Sequence, residues 1–63
     1  MKTLDEQIKC IEREIALREK TYPRWVMVGT MRQVKATHEI ECMRDALATL
    51  KQVKEREHPE LPI

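Results

Sequence analysis

The sequence has no phenylalanine, one glycine, one tyrosine and one tryptophan among 63 residues. A single glycine excludes the glycine-rich loop that cradles phosphates. Two cysteines allow at most one disulfide bridge. No apolar run is long enough to span a bilayer, and no signal-peptide pattern opens the chain. The expectation is therefore a cytoplasmic protein with reduced thiols. A net charge of +1 argues against a dedicated duplex-DNA binder. A chain this short buries too little apolar surface to offset its conformational entropy comfortably. With no metal or disulfide framework evident, a partner chain is the expected source of extra stability.

What is present is charge and helical period. Lys, Arg, Asp and Glu make up 37% of the chain, a composition that suits long helices. Thr3-Leu4-Asp5-Glu6 reads as a capping box, with Asp5 and Glu6 at the positive end of the helix dipole. Leu4, Ile8, Ile11 and Ile15 then mark one helical face. Continued, that stripe reaches Arg18 and Tyr22. Cys10 and Leu17 form a weaker second stripe, a candidate seam between chains. Glu14 with Arg18, and Asp5 with Lys9, are spaced to pair along the helix.

Pro23 is expected to stop the first helix near Thr21 and to open a short helical corner. Gly29 would close that corner in the left-handed conformation. A short strand over residues 25–28 is the competing reading, but it has no partner strand. Thr30-Met31-Arg32-Gln33 resembles a second capping box. Ala36, Ile40, Met43, Leu47 and Leu50 mark the buried face of the helix that follows, widened by Cys42, Ala46 and Val53. The expected class is all-α: a helix over about 3–21, a short helix over about 23–28, a longer helix over about 31–57 and an extended tail over 58–63. The two long helices fold back antiparallel, with the second overhanging the first. Two or more such hairpins are expected to form a homo-oligomeric bundle.

Both aromatic rings lie in Tyr22-Pro23-Arg24-Trp25-Val26. They have a packing use, closing the corner between the helices. They also have a binding use. Tyr22 and Trp25 can stack on a nucleobase, Arg24 can pair with a phosphate, and Arg18 and Lys20 can serve as further anion partners. The amides near Thr30 add an anion site. One ring can pack while the other stays open. His38 and Cys42 share a helical face and both can bind zinc. A third ligand is lacking apart from a distant Cys10 or a residue of another chain, so no metal site is expected. Cys42 reads as a small buried hydrophobe. Glu39 and Glu41 point to different sides of a helix and make a poor acid–base pair. With no nucleophile elbow either, an enzyme is not expected, and no cofactor is.

The stretch Tyr22-Pro23-Arg24-Trp25-Val26 resembles the core of a family of small, uncharacterised phage and prophage proteins. So do the segment from Ile11 to Arg18, then Gly29, Met31, Ala36, His38-Glu39-Ile40 and Met43. The likeness spans roughly residues 8–50. It implies a phage-encoded accessory protein in the cytoplasm of the infected host. In size and helical character alone, the chain is also similar to phage counter-defence proteins that sequester nucleotide immune signals. The leading expectation is a protein that sequesters a cyclic or ADP-ribose-type nucleotide. The alternatives are a module that inhibits a host or defence protein through a helical face, and a structural or regulatory role in the phage life cycle.

Overall fold

The structure is a computed structural model that describes residues 1–57. Two helices, α1 (Leu4–Met27) and α2 (Gln33–Glu57), pack against each other as a hairpin, and the described residues contain no strand. The expected tail over 58–63 lies outside the described residues.

α1 starts where its capping box predicts. The Thr3 hydroxyl accepts from the Glu6 amide at 3.1 Å, and the Glu6 carboxylate accepts from the Thr3 amide at 3.1 Å. Two of the helix's otherwise unpaired amide donors are thus satisfied. Ile8, Ile15 and Tyr22 are the buried residues of α1, at seven-residue intervals, with Ile11 and Arg18 half-buried between them and Leu4 half-buried before them. α2 answers with buried Ala36 and half-buried Ile40, Met43, Leu47, Leu50 and Val53. Both stripes follow the spacing read from the sequence.

Two local expectations are corrected. First, Pro23 does not end α1; it sits inside a helix that continues to Met27. The short corner helix is the last part of α1, not a separate element. Proline disfavours a helical residue before it. That residue is Tyr22, which is only 9% exposed. Burial of Tyr22 and partial burial of Val26 on either side of the proline outweigh the local preference. The two helices are consequently of nearly equal length, 24 and 25 residues, and α2 does not overhang.

Second, the capping pattern at Thr30 is not used. Gly29 ends α1 at a φ of 82°, as expected of a glycine cap. The Gly29 amide donates to the Val26 carbonyl at 3.1 Å and the Thr30 amide to the Trp25 carbonyl at 2.9 Å. This is a Schellman motif. The Met31 amide also turns back to the Trp25 carbonyl, at 3.2 Å. With Thr30 and Met31 held to the end of α1, α2 starts only at Gln33. The Gln33 side-chain amide donates forward to Thr37 Oγ1 at 3.1 Å.

Ion pairs join the helices along one flank. Asp5 meets Lys54 at 2.6 Å, Glu12 meets Lys51 at 3.5 Å, and Glu19 meets Arg44. The three acids are seven residues apart on α1, so they line one edge. Cys10 and Leu17 each lie two residues from a member of this row, about 160° around α1. Cys42 and Ala46 stand in the same relation to Arg44 on α2. All four are exposed, and they form a flank of small or apolar side chains opposite the ion pairs. The expectation that Cys42 is buried does not hold for the single hairpin.

Candidate functional site

The turn end of the hairpin gathers the sequence's distinctive residues. Tyr22 and Trp25 lie one turn apart on α1, with ring centroids 5.7 Å apart and planes tilted by 30°. Tyr22 belongs to the core, so its ring is committed to packing. Trp25 is 45% exposed and keeps part of its surface open. The division between a packed and an open ring follows from position: Tyr22 falls between the helices, and Trp25 lies about 60° around α1 from it.

The structure brings Arg18, Tyr22 and Trp25 onto one face, within about 60° of arc on α1 at 100° per residue. Arg18 Nε is 3.7 Å from Glu14 Oε2, the i,i+4 pair expected from the spacing. Lys20 and Arg24 are not brought to that face. They lie about 40° from each other and about 100° to 160° around the helix from the other three. An unbroken α1 is the cause, since a corner at Pro23 would have let Arg24 swing beside the rings. The five residues therefore border the turn end from two sides and do not converge in one pocket of a single hairpin.

Along the sequence, charge through the turn is of one sign. From Lys20 through His38 the chain carries Arg24, Arg32 and Lys35 and no carboxylate side chain. The first turn of α2 has no acidic residue of its own, although a helix start favours negative charge. Carboxylates border this end: Glu39 lines a surface pocket with Arg32, Lys35 and His38, and Glu41 lines the groove beside the turn. Beside the turn, apolar Pro23, Val26, Ala36 and Ile40, with Glu41 and Arg44 at the edge, line an open groove of about 260 Å³. Exposed Met27, Val28 and Val34 add apolar surface at the tip.

His38 and Cys42 do meet, with Nε2 and Sγ 3.5 Å apart, one turn along α2. Both cysteines are free thiols and exposed. Among the described residues no three His, Cys, Asp or Glu side chains gather closely enough to hold a metal. No helix among them is long and apolar enough to cross a membrane.

The interhelical ion pairs were missed at the level of sequence. A signal for them exists: Asp5, Glu12 and Glu19 recur every seventh residue, as do Arg44 and Lys51. Comparison with protein-family models, curated proteins and solved structures finds no match for the chain.

Proposed function

We propose that this chain is a non-enzymatic, phage-encoded accessory protein with an anti-defence role, which assembles from several hairpins and sequesters a nucleotide-type signal at its turn end. One observation carries the reading: a partly open tryptophan face stands in a stretch with cations and no carboxylate. Stacking of a base on such a face contributes roughly 1–3 kcal/mol. Arginine pairs with phosphate through two parallel N–H groups. Arg32 and Lys35 flank the start of α2, where backbone amides favour an anion. Lys20 and Arg24 face away from Trp25, so one hairpin does not surround a ligand. A second hairpin supplies the missing wall, and assembly is part of the proposal.

The test is titration of Trp25 emission with cyclic and ADP-ribose-type nucleotides, with native mass spectrometry of the same samples. One nucleotide class is expected to quench the emission and to give discrete adducts. Arg24→Ala is expected to weaken that binding roughly 10- to 100-fold, the loss of one charge-assisted pair, with helicity unchanged. Unchanged emission and no adduct across the panel would overturn the reading.

A second reading, inhibition of a host or defence protein through a helical face, draws on the small apolar flank, where Leu17 is 53% exposed. Leu17→Glu separates the two. Under the leading reading the flank is the seam between copies, and Leu17→Glu turns the assembly into monomers in sedimentation while the helices persist. If the variant assembles like the original chain, the flank is free for a different protein and the second reading gains.

A further inference from the structure

His38 and Cys42 lie one turn apart on α2, with Sγ and Nε2 within hydrogen-bond reach. Both side chains are exposed, and Nε2 stands 3.5 Å from Sγ. Tetrahedral zinc holds an imidazole nitrogen at about 2.0–2.1 Å and a thiolate sulfur at about 2.3 Å. Those two lengths, closed by a tetrahedral angle, separate nitrogen from sulfur by about 3.5 Å. The pair thus already has the bite of two adjacent ligands, before any metal pulls them together.

Two ligands leave a tetrahedral ion half-coordinated, and no third His, Cys, Asp or Glu joins them within the described part of one chain. A second copy can supply the same two. We propose that two copies of this chain share one zinc-class ion, each contributing His38 Nε2 and Cys42 Sγ. Cys42 sits on the flank without the ion-pair row, so two such flanks meet without stripping water from the interhelical pairs. Ala46, one turn further along α2, is small enough to allow close approach. Glu39 lines the same surface as His38, together with Arg32 and Lys35, so the surrounding charge is mixed and the two thiolates supply the negative charge that holds the ion. On binding, each Cys42 S–H gives its proton to solvent and forms a metal–sulfur bond, two protons per ion. His38 binds as neutral imidazole. The inference rests on the assembly of copies proposed above but not on a nucleotide ligand.

The probe is Co²⁺ added to the reduced, metal-free protein, followed by absorption and by sedimentation with and without metal. Expected are a thiolate-to-cobalt charge-transfer band and the intense visible bands of a tetrahedral site, saturating at one ion per two chains. Zn²⁺ should displace the colour. His38→Ala and Cys42→Ser are each expected to lose the bands, and Cys10→Ser to keep them. Circular dichroism of the variants checks that the exposed substitutions leave the helices formed. Saturation at one ion per chain, bands that survive in Cys42→Ser, or bands lost in Cys10→Ser would overturn the site. A dimer without metal and without cobalt bands would overturn it while leaving the assembly standing. Monomers in both conditions would overturn both.

Discussion

Replacing Ile15 by aspartate is expected to abolish the hairpin. Ile15 is 7% exposed and lies midway along α1, in the stripe that faces α2. Losing its burial removes about 1.5–3 kcal/mol, and a carboxylate left between apolar neighbours adds a desolvation cost. A chain of this size has little stability in reserve. Among the described residues only Ile8, Ile15, Tyr22 and Ala36 are buried, so few other contacts can compensate. Most of the helical circular-dichroism signal should be lost at 25 °C. Ile15→Val, by contrast, should cost about 0.5–1.5 kcal/mol and leave a cooperative transition. A helical, equally stable Ile15→Asp protein would mean that α1 does not pack through this face.

The opposite effect is expected at Pro23. Proline in a helix interior costs about 3 kcal/mol against alanine, through a missing hydrogen bond and a ring clash. Here the missing donor is the one that would meet the Glu19 carbonyl one turn back. Pro23 lies close to the end of α1, and proline also restricts the unfolded chain, which returns part of the cost. Pro23→Ala should therefore stabilise the hairpin by about 1–2 kcal/mol, and each kcal/mol should raise Tm by roughly 4–8 °C. Chemical denaturation read by α-helical signal measures it. A lower midpoint would show that the Pro23 ring, beside Val26, Ala36 and Ile40 in the groove at the turn, contributes more by packing than it costs the backbone.

These two positions mark what can be read from the sequence and what cannot. Ile15 was legible because helical period and burial agree there. The cap at Thr3 and the left-handed Gly29 were legible because each satisfies a purely local need. Pro23 was misread because its local rule competes with the burial of Tyr22, and only the fold decides between them. Thr30 was misread for a related reason. Its amide is claimed by the Trp25 carbonyl, and the following sequence cannot reveal that the preceding helix has already taken it. Acid–base spacing within α1 suggested pairs along one helix. Glu14 with Arg18 is such a pair, yet Asp5, Glu12 and Glu19 reach across to α2. The binding residues share this limit. Five neighbours in sequence, Arg18, Lys20, Tyr22, Arg24 and Trp25, become two faces once the helix through them is continuous.

The row of ion pairs has a further consequence for how the helices align. Each pair is exposed and worth less than about 1 kcal/mol, so the row contributes little to the depth of the native state. Its value lies in register. A slip of one or two residues would misalign the acids and bases. A slip of seven would not: Asp5 could take Lys51 and Glu12 could take Arg44, with one rung lost. The row is therefore a vernier that repeats every two turns. What removes the ambiguity is the turn, where residues 28–32 are the whole connection between helices and Gly29 fixes where α1 stops. Fine alignment is set by charge along the flank, and coarse alignment by a single glycine at the end.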